Sequence, residues 1–346
     1  MPTAESKPKT AASRAKAVTL ADVAAQAGVS SVAASVVLSN ARSQVRVSDS
    51  TRARIVEAAA RLQYRPNAVA RSLRLQRTNI FGFYQAHGQW LDPRSPFFAA
   101  LLAGLQHGCE SRGKDLLIHT TFRGRSEDDI FLELINGQID GLVLYAREIT
   151  PLIEKLVESH LPVVTVVNEV PGVSCASIDD TQGGQLLARH LADRGYERVL
   201  YRRTETPLPL TLQRRMDSFC AEAALRGLSV QESRNNSDTL SAQEQELLLC
   251  DSKERPQAVA AWSDYAADGV VDFCRQNGLR VPQDLAVVGF DGLPSTLRPA
   301  SHLTTIAAPW HDVASTAVSL LVAQCNGEEV PEQTVLPVQL SVGDTT

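Results

Sequence analysis

The chain has 346 residues, of which 44% are hydrophobic and 21% charged, a globular composition with enough length for more than one domain. No run of 18 apolar residues occurs and the N-terminus lacks the apolar stretch of a secretory signal. We therefore expect a soluble cytoplasmic protein with no membrane partner. The six cysteines are scattered singly, and this spacing predicts reduced thiols, no structural metal and no cofactor.

Charge is distributed unevenly along the chain. Residues 1–77 hold 13 Lys and Arg against 4 Asp and Glu, a net charge of +9, whereas the other 269 residues hold 21 against 35, a net charge of −14. A basic head on an acidic body indicates that only the head binds a polyanion, because phosphates repel the body. A basic tail that is merely solvated is the alternative.

The sequence begins with a tail (1–17) in which apolar residues show no periodicity. The apolar periodicity that follows predicts a small helical domain over 18–64. The segment TLADVAAQAGVSSVAASVVLSN predicts two short helices, capped by Thr19 and Ser30 and separated by a tight turn at Gly28. A third amphipathic helix is expected over 50–62. Three helices at this spacing are typical of a helix-turn-helix domain.

A short linker, residues 65–77, follows this domain. Pro66 ends the preceding helix and Asn67 is placed to cap a new one of about two turns, which is not stable alone in water.

From Asn79 the pattern alternates between strands and helices, which predicts parallel sheets with crossover helices. The length favours an α/β fold of two doubly wound lobes, the first over about 78–174 and 291–323, the second over about 175–290 and 324–346. The strand-like runs are IFGFY, LLIHT, GLVLY, PVVTVV, SCASID, RVLY, AVAAW, AVVGF, LTTI and VLPVQL.

Motifs of common enzymes are missing from the sequence. It has no Walker-type phosphate loop, no G-x-G-x-x-G after a strand, no G-x-S-x-G elbow and no H-E-x-x-H. We therefore expect a protein that is not an enzyme.

Several segments together resemble one family. VTLADVAAQAGVS, the helix S-x-x-x-S-V-V-L-S-N and YRPNAVARSL are similar to the start of the lactose-repressor/galactose-repressor family of bacterial regulators. The resemblance continues to about residue 340, through SPFF (95–98), DGLV (140–143), IDDTQG (178–183), VPQD (281–284), VGFD (288–291) and LTTI (303–306).

The resemblance implies an N-terminal three-helix DNA-binding domain, a hinge helix, and a two-lobed effector domain with the periplasmic-binding-protein fold. It also implies a homodimer on a pseudo-palindromic double-stranded DNA operator, with its second helices in successive major grooves. The family commonly has Arg where this chain has Val36, which leaves apolar contact with thymine methyls as the readout. The expected DNA-binding residues are Thr19, Ser30, Ser31, Val32, Ser35, Val36, Asn40, Arg46, Asn67, Ala70 and Leu73.

In the hinge, the resemblance makes Leu73 the wedge that enters the minor groove and Ala70 a base contact. In the cleft between the lobes it implies a small-molecule effector, with Arg215 binding hydroxyls or a carboxylate and Trp310 stacking on a sugar ring. An ion pair for Arg215 and core packing for Trp310 are the alternatives. The expected effector-binding residues are Tyr84, Phe97, Phe98, Asn168, Arg215, Asp264, Asp291 and Trp310.

The predicted function is that of a ligand-responsive transcriptional regulator, most often a repressor of carbohydrate genes in this family. A sugar-binding transport component is an alternative that the basic head and the missing secretory signal disfavour. A glycoside-acting enzyme that uses Asp264 and Asp291 as paired carboxylates is a further alternative.

Overall fold

The computed structural model describes residues 18–39, 46–65, 72, 75–86, 95–119, 122, 124–203, 208–233, 235, 239–295, 297 and 302–346. The chain divides into two units, Met1–Thr78 and Asn79–Thr346, one residue from the predicted end of the linker.

The described residues within 18–65 of the first unit form three helices, α1 (Leu20–Ala27), α2 (Ser31–Ser39) and α3 (Asp49–Arg61). Thr19 and Asp22 form a capping box at the start of α1, and Gly28 ends that helix at a φ of 64°. The Ser30 hydroxyl accepts a hydrogen bond from the Ala33 N–H at 3.2 Å, which caps α2. The core of the unit contains Val23, Ala24, Ala27, Ala34, Val37, Ile55, Ala58 and Ala59.

The second unit alternates strands and helices as predicted. In chain order its elements are β1 (Ile80–Ala86), α4 (Pro96–Glu110), β2 (Asp115–Ile118), α5 (Glu127–Leu134), β3 (Gly141–Ala146), α6 (Pro151–Val157), β4 (Val163–Val166), β5 (Ser174–Ile178), α7 (Asp180–Asp193), β6 (Arg198–Arg202), α8 (Leu210–Leu225), β7 (Ser229–Ser233), α9 (Ala242–Leu249), β8 (Ala258–Ala261), α10 (Asp264–Gln276), β9 (Ala286–Val288), β10 (Thr305–Ala307), α11 (Trp310–Cys325), β11 (Gln333–Leu336) and β12 (Gln339–Ser341).

Two parallel sheets organise this unit into two lobes. The first sheet has the order β11-β5-β4-β3-β1-β2, with α4 and α11 on one face and α5 and α6 on the other. The second sheet has the order β7-β6-β8-β9. Isolated bridges connect Val288 of β9 to Thr304, and Asp291 to Ala307 of β10. Strand β10 also pairs antiparallel with β12. Every strand pair within the two main sheets is parallel, which is the geometry that crossover helices impose.

The predicted lobe boundaries were wrong in three places. Residues 305–307, assigned to the first lobe within 291–323, form β10, and the adjacent Thr304 bridges to Val288 of β9 in the second sheet. Residues 174–178 form β5, which pairs with β4 in the first sheet, although we assigned residues from 175 onward to the second lobe. The final strand was expected near 335–340, but it is two strands, β11 in the first sheet and β12 beside β10. Pro337 separates them, because proline has no N–H to continue a ladder. The edge strand β7 was not predicted, since only its last residue is buried.

No single helix among the described residues is long and apolar enough to cross a membrane. The segments 20–27 and 31–38, bent by 106°, reach that length and composition only as a pair.

Close packing of α4 against α11 depends on Gly104. A Cβ at this position would lie 2.1 Å from the His311 carbonyl oxygen and 2.8 Å from the Ala314 Cβ. We expect Gly104→Ala to push the helices apart and to lower the free energy of unfolding by about 2 kcal/mol. Gln106→Ala, at an exposed position of the same helix, should change it by less than about 0.5 kcal/mol. Urea unfolding measures both, and equal stability of the two variants would contradict this packing.

Candidate functional site

Helix α2 has one buried and one outward face. Ala34 and Val37 are buried in the core of the first unit, whereas Ser31 and Val32 are exposed and the Val32 side chain is 62% accessible. Ser35 and Val36, four residues further on, are partly buried. The outward face therefore carries all four residues that the sequence assigned to base contacts.

The remaining residues predicted to bind DNA are distributed around this helix or lie outside the described chain. Thr19 and Ser30 are exposed caps of α1 and α2, and Arg46 is exposed just before α3. Asn40 and the hinge residues Asn67, Ala70 and Leu73 lie outside the described residues.

Aromatic side chains meet at the carboxyl edge of the first sheet. The ring of Phe97 lies 5.0 Å from that of Trp310 and 6.1 Å from that of Tyr145, and Phe98 lies 5.8 Å from Tyr145. The structure thus brings three predicted effector-binding residues together and adds Tyr145. Tyr145 was not among the expected effector-binding residues, although it is the penultimate residue of a fully buried strand.

Tyr84 does not belong to this aromatic cluster, so its inclusion with the effector-binding residues is corrected. Its ring packs 5.2 Å from that of Phe122 in the core on the opposite face of the first sheet, where burial raises the pKa of Tyr84. The next residue, Gln85, pairs in register with Tyr145, so the two side chains share the face of the aromatic cluster. Alternation along β1, in which Phe81 and Phe83 face the same core, would have distinguished the two residues.

Arg215 forms a buried ion pair rather than a surface one. Its Nε and Nη2 donate to Asp180 Oδ1 at 2.9 and 2.7 Å, and Nη1 donates to the Trp262 carbonyl at 2.6 Å. The guanidinium carbon lies 3.4 Å from the centroid of the Phe290 ring, a cation–π contact. Asp180 lies within the segment IDDTQG but was not selected as a site residue.

Asp291 is held in a strained backbone conformation next to this pair. Its φ is 119°, its N–H donates to the Ile306 carbonyl at 2.9 Å, and its carbonyl accepts from the Ala308 N–H at 3.2 Å. Burial raises the pKa of the Asp291 carboxyl well above its usual range, with Arg215 opposing this shift. The indole N–H of Trp310 lies near this carboxylate but outside hydrogen-bond geometry.

Asp264 has a structural role that the sequence did not anticipate. Its Oδ1 accepts from the Thr305 hydroxyl at 2.5 Å and its Oδ2 from the Leu293 N–H at 2.7 Å. These bonds tie the start of α10 to β10 and to the loop after Asp291. Burial raises the pKa of Asp264 to about 7. Because both oxygens are engaged, Asp264 positions the loop that carries Asp291.

Asn168 joins the two lobes. Its Oδ1 accepts from the Thr211 hydroxyl at 2.7 Å, and its neighbour Glu169 forms a two-bond ion pair with Arg214 of the same helix, α8. The preceding Val167 has a φ of 73°. The amide oxygen of Asn168 therefore accepts a hydrogen bond that connects the two lobes.

Six buried polar atoms lie at the carboxyl ends of strands or at the start of α11 without a hydrogen-bond partner among the described residues. These atoms are Gln85 Oε1, His119 Nε2, Thr165 Oγ1, Arg203 Nε, Trp262 Nε1 and Trp310 Nε1. Since buried polar groups are nearly always paired, and an unpaired one costs about 1–3 kcal/mol, these strand ends of the two sheets are candidate ligand-contacting positions. Of these residues, only Trp310 was expected at the effector site.

Comparison with known proteins agrees with this arrangement. The family profile "Bacterial regulatory proteins, lacI family" matches residues 19–67, and the profile "Periplasmic binding protein-like domain" matches residues 188–346. The chain therefore has a lacI-family DNA-binding domain followed by a periplasmic-binding-protein-like domain. The predicted family and the two-part α/β fold are confirmed.

Similar proteins align over nearly the whole chain. It is 26% identical to the HTH-type transcriptional repressor PurR of Erwinia tasmaniensis, covering 92% of this chain and 93% of the relative. It is 27% identical to Catabolite control protein A of Priestia megaterium, covering 95% and 99%. These relatives are regulators rather than enzymes, as the sequence predicts.

Among solved structures, the lac repressor dimer bound to operator and the anti-inducer ONPF superposes with a TM-score of 0.77 at 21% identity, covering 95% of this chain and 99% of that one. The complex of the transcriptional regulator CelR with cellobiose gives 0.67 at 24% identity, covering 95% and 100%. These likenesses establish the fold.

The raised pKa of Asp264 predicts a stability that falls as pH rises. The folded state holds a proton at pH values between the ordinary 3.8 and about 7 that the unfolded state has released, so the free energy of unfolding decreases through this window. The decrease is as much as about 4 kcal/mol for three pKa units. In Asp264→Asn the amide oxygen still accepts from Leu293 and the amide nitrogen donates to Thr305, so the decrease should shrink. Urea unfolding at pH 5 and pH 8 measures it, with the exposed Asp217→Asn as control. An unchanged slope in Asp264→Asn would contradict this assignment.

Proposed function

We propose that this protein is a ligand-responsive, sequence-specific transcriptional repressor that binds a pseudo-palindromic operator as a homodimer in the cytoplasm. The observation that carries the proposal is the combination of a basic helix-turn-helix unit, whose second helix has an outward face, with an acidic two-lobed unit that has unpaired polar groups at its strand ends. Its relatives named transcriptional repressors support the direction of regulation.

On DNA, α2 lies in the major groove, where the outward Ser31 and Val32 contact base edges. Exposed arginines around α3, such as Arg46, Arg52 and Arg54, bind phosphates and set the register. The motif resemblance alone assigns Asn67, Ala70 and Leu73 to a hinge that enters the minor groove.

Twofold symmetry follows from the operator's geometry. A single unit buries one short helix in one major groove, and two units related by a twofold axis read two half-sites about one helical turn apart. The neighbour described as a lac repressor dimer bound to operator supports this assembly.

The effector that best fits the cleft is a neutral, hydroxyl-rich molecule such as a carbohydrate. Trp262, Trp310 and Arg203 offer unpaired donors and Gln85 an unpaired acceptor, and the Asp291 carboxyl lies near Trp310. Each hydroxyl of a sugar both donates and accepts. The partly buried ring of Phe97 supplies an apolar face for a pyranose. The neighbour solved with cellobiose supports this ligand class.

The glycosidase alternative is disfavoured by the geometry of the carboxylates. Asp264 is bonded to Thr305 and Leu293 through both oxygens, so it is not free to act as an acid or nucleophile.

Selection from a random duplex library tests DNA recognition. We expect the purified full-length protein to enrich an imperfect palindrome, and nuclease footprinting to show both half-sites protected. Affinity should fall steeply between 50 and 200 mM salt, by about a thousandfold or more if six phosphates are contacted. A scrambled duplex of the same composition is the control. Failure to enrich any sequence at low salt would overturn the proposed function.

Asp291→Asn tests the effector site. A thermal-shift screen of mono- and disaccharides identifies a ligand, since a concentration 100 times Kd adds about 2.7 kcal/mol of stability. Asp291→Asn keeps the shape but halves the acceptor capacity, so calorimetry should show an affinity for that ligand that is lower by roughly 10- to 100-fold. Asp217→Asn, exposed on α8, should bind normally. Normal affinity in Asp291→Asn would place the effector elsewhere.

A further inference from the structure

The second helix of the helix-turn-helix unit has an unusual composition for a DNA-reading element. Its nine residues, SVAASVVLS, include no arginine, lysine, asparagine, glutamine or acidic residue. The side chains that make two-bond contacts to guanine or adenine are Arg, Lys, Asn and Gln, so none of these contacts is available from α2.

The outward face of α2 is instead partly aliphatic. Val32 is 62% accessible, whereas Ala34 and Val37, on the opposite face, are buried. Val36 lies one turn beyond Val32 and is partly buried, so the two valines lie along one stripe. A serine hydroxyl contacts any base, and therefore the Ser31 hydroxyl adds little discrimination.

Charge in the same unit indicates what covers this face. The head carries a net charge of +9, and Arg46, Arg52 and Arg54 are exposed. An uncharged stripe on a basic domain matches the base edges and phosphates of duplex DNA. The occupant of the stripe is therefore the floor of the major groove.

One apolar group is present on that floor. The C5 methyl of thymine projects into the major groove, and adenine, guanine and unmodified cytosine carry no methyl group there. A C5 methyl on cytosine occupies the same ring position as the methyl of thymine.

We propose that α2 reads pyrimidine C5 methyl groups through Val32, with Val36 in support. The protein then accepts 5-methylcytosine in place of thymine at the contacted position, and cytosine methylation of an operator changes its occupancy. The inference rests on the proposed function, because it concerns the readout of the operator.

The experiment removes single methyl groups from the operator. Full-length protein selects an operator from random duplexes, and each thymine is then replaced by deoxyuridine at symmetric positions of both half-sites. We expect one or two positions per half-site to lose about fourfold in affinity, and roughly 15-fold when both half-sites change, from the burial of one methyl each. Mobility-shift titration at fixed salt measures the loss.

Variants of the protein connect the effect to the helix. Val32→Ala should bind the thymine and deoxyuridine operators with nearly equal affinity, whereas Val56→Ala, which is 52% exposed on α3, should keep the full difference. Val32→Thr, which replaces one methyl by a hydroxyl at nearly constant volume, provides a second variant if the alanine variant folds poorly. Circular dichroism checks the fold of each.

A second arm tests the modified base. At the sensitive position, a 5-methylcytosine·guanine pair should bind about fourfold tighter than the unmethylated cytosine·guanine pair. Equal affinity for thymine and deoxyuridine operators, or a deoxyuridine effect that persists in both Val32 variants, would overturn the methyl readout. Failure to select any operator would overturn the proposed function itself, so the two failures are distinguishable.

Discussion

The buried pair of Arg215 and Asp180 is the interaction on which the effector unit depends. Asp180 begins α7 directly after the chain crosses from the first sheet, and Arg215 lies on α8, so the pair locks the two helices that cover the second sheet. Gly184 permits their close approach, because a Cβ there would lie 2.3 Å from the Arg215 carbonyl oxygen. Removing either partner leaves a buried charge uncompensated, which is far more costly than the loss of a surface pair.

The same pair engages the cation nearest the Asp291 carboxyl. Arg215 binds Asp180 directly and only opposes the effect of burial on the pKa of Asp291, while burial also raises the pKa of Asp264. Burial therefore keeps both carboxyls protonated more readily than in water. A ligand whose hydroxyls donate hydrogen bonds to Asp291 stabilises the ionised form of that carboxyl. Ligand binding is therefore coupled to the strained loop that carries Asp291 and that Asp264 holds in place. Asn168 and Glu169 follow β4 of the first lobe and bond to Thr211 and Arg214 on α8 of the second lobe. A switch between two arrangements of the lobes requires such contacts between them.

Local signals in the sequence predicted local structure well. Thr19 and Ser30 cap helices because their hydroxyl oxygens accept hydrogen bonds from the N–H groups of Asp22 and Ala33, and Gly28 adopts the positive φ that its turn needs. Pairing between distant segments was the part that sequence could not determine. β5 and β11 lie in the first sheet because of their register with β4 and with each other, which no local pattern encodes. The same limit explains why Tyr84 was expected at the site in place of Gln85, since the face of β1 that meets the site depends on the strand beside it.

In DNA recognition by this chain, charge supplies affinity and apolar contact supplies discrimination between bases. Attraction between the +9 head and phosphates is independent of sequence and is screened by salt, so it supplies affinity without discrimination. Contact between an aliphatic side chain and a methyl group is nearly insensitive to salt but depends on one atom of one base. The net charge of −14 on the remaining 269 residues repels the rest of the chain from the duplex and confines binding to the head. Because methyl contacts from α2 discriminate only weakly between bases, this protein needs the symmetry of a dimer. Two half-sites double the modest free-energy difference, which squares the preference for the correct site.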